Sequence, residues 1–161
     1  MEVLTTSIVG IDPGLSGGLA LLSADGSLIE ALRMPVLKLN GKGEINLAAL
    51  SATLHRWQPG HVWIEQQQSM PRQGVASSFR TGQNYGDLRG FLFGAGFTYS
   101  IVRPNIWKRA MGVPADKTAA IAIATRQFPA ASAFWSRWAD DGVAEAALIA
   151  LYGHRQGSRD P

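Results

Sequence analysis

The chain contains no cysteine, which excludes a disulfide framework, a thiolate metal site and a thiol nucleophile and makes a reducing cytoplasm the expected location. It has no apolar run near the roughly 20 residues that span a bilayer, and MEVLTTSIVG lacks the basic stretch that opens a secretory signal, so no membrane partner is expected. Histidine is scarce, three in all and none spaced as a ligand pair, which argues against zinc. Acidic side chains are scarce in the middle of the chain. Residues 66–137 carry nine Lys and Arg against only Asp87 and Asp116, a local charge of +7, while the remainder carries −4. Basic residues gathered in one stretch suit the gripping of a polyanion.

What is present suffices for one core: 161 residues, 46% of them hydrophobic. The pattern predicts a single α/β domain over residues 1–154 and a polar tail over 155–161. Ser7 to Asp12 and Gly17 to Ser23 read as strands, and Asp25-Gly26 turns the chain into a third, Leu28 to Met34, giving three antiparallel strands first. Lys38 to Glu44 reads as a polar loop. Leu47, Leu50, Leu54 and Trp57 recur at helical spacing until Pro59-Gly60, and His61 to Glu65 is a fourth strand. Gln66 to Thr81 has little periodicity and reads as a long surface loop. Tyr85 to Ala95 reads as a helix whose Gly86, Gly90 and Gly94 leave a smooth stripe for another backbone, and Phe97 to Val102 is a fifth strand. Pro104 opens a helix to Met111, Pro114 to Phe128 reads as another, residues 130–138 as a helix or an aromatic-rich loop, and Asp141 to His154 as the last helix.

Four carboxylates stand out against this frame. Asp12 and Glu65 each end a β-branched apolar run, SIVGID and HVWIE, and Asp141 and Glu145 share one face of the apolar last helix, with Asp140 an alternative to Asp141. A carboxylate among buried side chains costs several kcal/mol, on the order quoted for unpaired buried charge, unless a cation or partner neutralises it. Oxygen ligands without Cys or paired His favour Mg²⁺, with Mn²⁺ as a substitute. Two such ions about 4 Å apart would serve phosphodiester cleavage.

The blocks IVGIDPGLSGG, WIEQQ, GQNYGDLRG, RPNIWK, PADKTAA and DGVAEAALIALYG, in that order over almost the whole chain, resemble the RuvC-type Holliday-junction resolvases of the RNase H-like superfamily, especially phage-encoded relatives. The resemblance implies a five-stranded mixed sheet flanked by helices, a homodimer, and magnesium-dependent nicking of opposed strands of a four-way DNA junction. It implies that Asp12, Glu65, Asp141 and Glu145 hold the metal and that Lys108 and Lys117 contact phosphate near the scissile bond. The sequence departs from the family in one respect. Many members space the last two ligands three apart, and that position here is Gly142, so Asp141 at four stands in for it. The segment after Glu65 matches in position the one that pries at the junction centre, which makes Met70 or Phe79 a candidate wedge and Arg72, Arg80 and Arg109 candidate phosphate contacts. Two rival readings remain: a phosphate-binding lobe of the actin-like and sugar-kinase ATPases, suggested by the Gly/Ser-rich turn Asp12 to Gly18, and a non-catalytic binder of branched DNA.

Overall fold

The computed structural model describes residues 6–114 and 119–157. Its strands are β1 (Ile8–Asp12), β2 (Gly18–Leu22), β3 (Leu28–Arg33), β4 (Val36–Leu39), β5 (Lys42–Ile45), β6 (His61–Glu65) and β7 (Tyr99–Val102). The helices are α1 (Leu47–Trp57), α2 (Val75–Gly94), α3 (Pro104–Met111), α4 (Ala119–Gln127) and α5 (Asp141–Gly157). Five strands form one mixed sheet in the order β3-β2-β1-β6-β7. The first three pair antiparallel, and β6 and β7 add in parallel. This is the sheet the sequence predicts.

Strand β1 is central because its residues are apolar toward both layers. Val9 and Ile11 pack with Leu50, Leu54, Leu88 and Leu92 of α1 and α2, whereas Ile8 packs in the opposite layer with Trp107 of α3, Ala124 of α4 and Leu148 of α5. Helix α5 lies on β1 and β2 with no side chain between it and the strand at one point. A Cβ built on Gly10 would stand 2.2 Å from the Ala146 carbonyl oxygen and 2.3 Å from the Ala150 nitrogen. Only glycine fits there, and the alanines of AEAALIA keep the helix surface low enough for the approach.

Several local expectations are corrected. The polar stretch Lys38 to Glu44 is not a loop but most of the β4–β5 hairpin, closed at Asn40 (φ 50°) and Gly41 (φ 75°). Two successive left-handed residues make the Asn-Gly turn that matches strand twist, and this outweighs the polar composition. Residues 75–81 of the expected loop are likewise helix, the opening turns of the 20-residue α2. Its buried stripe is only Asn84, Leu88 and Leu92. The first member of that stripe is polar, buried because its Oδ1 accepts the Ile45 N–H at 3.0 Å. The glycine stripe of α2 receives no backbone from the described residues, since among them a Cβ on Gly86, Gly90 or Gly94 would meet nothing within 4 Å. Pro114 stands outside any helix, residues 129–135 and 138–140 form 3-10 turns, and α5 continues through Arg155 to Gly157. No helix among the described residues is long and apolar enough to cross a membrane.

Candidate active site and nucleic-acid interface

Parallel pairing of β1 with β6, Ile11 opposite Ile64, brings the carboxyl ends of both strands to one edge of the sheet. Crevices at such edges are where ligands bind in α/β folds. Asp12 and Glu65 therefore emerge side by side, and α5, seated on β1, brings Glu145 to the same place. Burial pushes the Asp12 carboxyl from 3.8 to about 7, and the charges of Glu65 and Glu145 add to it. The Gly14 N–H, 3.3 Å from Asp12 Oδ1, and the Lys108 ammonium pull the other way. Asp12 keeps partial solvent contact but is hemmed in by protein on most sides.

Glu65 is buried, and burial raises its carboxyl above the usual range despite the Trp107 indole N–H, which donates to Oε2 at 2.7 Å. Lys108, the next residue on α3, places Nζ 2.9 Å from Glu145 Oε1. Burial opposes the Lys108 charge, but the hydrogen bond and charge of Glu145, then Glu65 and Asp12, raise its pKa overall. Three carboxylates thus share one ammonium. An excess of buried carboxylates over cationic side chains is electrostatically unfavourable unless another cation offsets it. No three Asp, Glu or His side chains among the described residues are arranged to hold an ion, and Glu145 is paired with Lys108. The all-oxygen donor set of Asp12, Glu65 and Glu145 is of the kind that suits a hard divalent cation.

The structure separates Asp141 from Asp140. Asp140 is 4% exposed and bound by Arg33 Nη2 at 2.6 Å and Arg137 Nε at 3.3 Å, with the Arg137 backbone N–H donating at 3.1 Å. Burial would raise its carboxyl, but these donors hold it below the usual range. Asp140 is a clamp between the sheet and the turn before α5, and is spent as a ligand. Asp140→Asn is expected to lower stability by about 2 kcal/mol, read by thermal melting. Its stabilising share is present above the unfolded value near 3.8 and lost as pH falls through the lower folded one.

Asp141 is the first residue of α5, one turn before Glu145. Its Oδ1 accepts its own Gly142 N–H at 2.9 Å. It faces a cavity of about 490 Å³ with Leu15, Ser16, Arg33, Met34, Trp138 and Ala139. The charges acting most on Asp12 are Glu65, Glu145 and Lys108, so Asp141 borders the cluster rather than standing within it. Gly142 is glycine for a structural reason: a Cβ there would lie 2.3 Å from the Ser16 carbonyl oxygen. No carboxylate can occupy the family's three-residue spacing in this chain.

Met70 and Phe79 are 62% and 72% exposed, and Arg72 and Arg109 are exposed. Phe79 and Arg80 ride on α2, whereas Met70 and Arg72 precede it in a turn whose Gln73 side chain accepts the Met70 N–H and donates to Ser77 and Thr81. Arg80 lines two cavities: one of about 230 Å³ with Gly14 and Gln67 near the Asp12 turn, another of about 690 Å³ with Lys42 of β5 and Phe79. Lys117 lies outside the described residues. Sequence reasoning missed Trp107 as the partner of Glu65, although its place beside Lys108 in RPNIWK was a signal.

The structure is similar to several solved nucleases. Thermus thermophilus RuvC in complex with a Holliday junction substrate superposes with a TM-score of 0.65 at 19% identity, covering 95% of this chain and 96% of that one. Its fold is that of the RuvC-type resolvases. The fowlpox virus Holliday junction resolvase matches with a TM-score of 0.59 at 13% identity over 93% of this chain and 99% of that one. The yeast mitochondrial Holliday junction resolvase gives 0.57 at 14% identity over 96% and 80%. No family model and no curated protein matches the sequence.

Proposed function

We propose that this chain is a structure-selective endodeoxyribonuclease that resolves four-way DNA junctions as a magnesium-dependent homodimer, leaving 5′ phosphates and 3′ hydroxyls. The observation that carries the reading is the crowding of Asp12, Glu65 and Glu145 around one ammonium at the ends of β1 and β6. The fold, shared with resolvases of which two are solved on their junction substrates, supports the substrate. Two Mg²⁺ ions, when bound, would supply charge to the scissile phosphate and lower the pKa of a water.

The protein's own part is positioning. Asp12, Glu65 and Glu145 hold the cations, with Asp141 reaching in from the adjoining cavity. The Trp107 N–H fixes the orientation of Glu65. Lys108, released from Glu145, presents its ammonium to a phosphate oxygen, and Lys117 does the same from the following segment. Arg72, Arg80 and Arg109 contact backbone phosphates that steer the junction, and Met70 or Phe79 enters the junction centre. A junction has approximate two-fold symmetry, so two subunits with one site each match its geometry. The outward face of α2, smooth at Gly86, Gly90 and Gly94 and carrying Phe93 at 80% exposure, is the proposed subunit contact. Action in the cytoplasm of a bacterium or of a phage-infected host accords with the absence of cysteine.

The test is incubation with a mobile four-way junction, a fork and plain duplex, with Mg²⁺, Mn²⁺ or EDTA, and mapping of cuts on every strand. Paired cuts confined to the junction and dependent on metal are expected. Tight binding without cleavage would favour a branched-DNA binder, and ATP hydrolysis would favour the phosphate-binding lobe. Binding should weaken with salt with a log–log slope of about −0.9 per neutralised phosphate.

A further inference from the structure

Trp138 is 76% exposed, while Trp107 is wholly buried, Trp135 and Trp57 are buried at 2% and 8%, and Trp63 is half-buried in the sheet. A large aromatic left in solvent is rarely neutral, because its burial elsewhere would be worth several kcal/mol by the usual area scaling. Nor is Trp138 loosely held. It opens the 3-10 turn Trp138–Asp140, and Asp140 pins that turn to Arg33 at the end of β3 and to Arg137 beside it. The indole is therefore presented on a fixed mount immediately before α5. The cavity it faces, about 490 Å³, is walled by Leu15 and Ser16 of the turn after Asp12, by Arg33 and Met34, and by Asp141.

We infer that Trp138 is a stacking platform for a nucleobase of the DNA strand whose phosphate lies at the carboxylate cluster. The inference rests on the nuclease reading and names a base-binding subsite for it. Three features select a base. The cavity is continuous with the turn that carries Asp12 and the helix that carries Glu145. Trp138, Leu15 and Met34 give it an apolar lining, and an exposed indole is the kind of surface a base stacks on. Its polar rim has donors on the half-exposed Arg33 guanidinium and an acceptor on Asp141, the two kinds of group that meet a base edge. A phosphate alone would need neither the indole nor the carboxylate.

The experiment has a binding arm and a cleavage arm. In EDTA, titration of wild-type protein with a four-way junction and with a thymidine dodecamer should quench tryptophan fluorescence. Trp138→Phe should remove most of the quench while retaining affinity, and Trp138→Ala should weaken binding about tenfold, the scale of one lost base stack. With Mg²⁺, Trp138→Ala should cut the junction about tenfold more slowly, with Trp138→Phe restoring most of the rate. An abasic residue at the nucleotide flanking the cut should reproduce the loss in wild type and add nothing to Trp138→Ala. Because the side chain is exposed, both variants should melt with wild type. Quench without cleavage in any protein would sink the nuclease reading and leave the stacking site standing. Normal cleavage and unaltered quench in the Trp138 variants, or a loss of subunit association in Trp138→Ala, would overturn the stacking site alone.

Discussion

Asp12→Asn should slow junction cleavage by about 10³-fold or more, the scale of several kcal/mol of lost charge stabilisation at a metal site, while junction affinity in EDTA stays within a few-fold. The same substitution should change how stability depends on pH. Burial, then Glu65 and Glu145, lift the folded-state Asp12 carboxyl from 3.8 to about 7. The folded state therefore binds this proton more tightly than the unfolded one. Metal-free protein has the full benefit below about pH 4, loses it as pH rises toward about 7, and levels off above that. A displacement of about three units sets a ceiling of about 4 kcal/mol on the loss, and partial solvent contact at Asp12 brings it lower. Glu65, raised in the same direction, adds to the slope. Melting in EDTA across pH 4 to 8 should fall for wild type and fall much less for Asp12→Asn, and Mg²⁺ should stabilise wild type most at the alkaline end. A flat wild-type profile in EDTA would mean that neither burial nor the neighbouring carboxylates raise Asp12 in the folded state.

The second large effect is expected at a residue with no functional group. Gly142→Ala places a methyl 2.3 Å from the Ser16 oxygen and 2.6 Å from the Gly17 Cα, both main-chain atoms that cannot rotate away. Overpacking of this kind costs about 3 kcal/mol, or about 10 °C of melting temperature for a chain of this length. What moves is the turn after Asp12, so cleavage should fall as well, by about 10²-fold for a displacement near 1 Å. Gly86→Ala is the control, because its Cβ meets nothing within 4 Å among the described residues. It should melt about 2 °C higher through reduced freedom of the unfolded chain. If α2 is the subunit contact, that variant should also associate more weakly in sedimentation. A Gly142→Ala protein that melts and cuts like wild type would show that α5 does not press on the turn.

The central sheet was legible because its strands are short apolar runs bounded by turn residues, β-branched in β1 and β6 and buried almost throughout in β1 and β2. Asp12 and Glu65 were legible for the same reason, as charged residues ending apolar strands, and Glu145 as a charge inside an apolar helix. The start of α2 was not, since a helix that buries only Asn84, Leu88 and Leu92 leaves almost no hydrophobic period to read. The β4–β5 hairpin had its signal in Asn40-Gly41, but charged neighbours made the segment look like a loop. Asp140 and Asp141 could not be told apart from sequence. They are adjacent, and their opposite roles follow from a 3-10 turn passing into an α-helix between them, which aims one at Arg33 and the other at the cavity.

The seat of α5 on β1 bears on the order in which the carboxylate cluster is assembled. Asp12 leaves the ribosome early and Glu145 late, and the helix that carries Glu145 also fills the Gly10 contact on β1. A growing polypeptide therefore carries Asp12 and Glu65 on a sheet that α5 has yet to cover, and docking of that helix closes the core and completes the carboxylate cluster in one step.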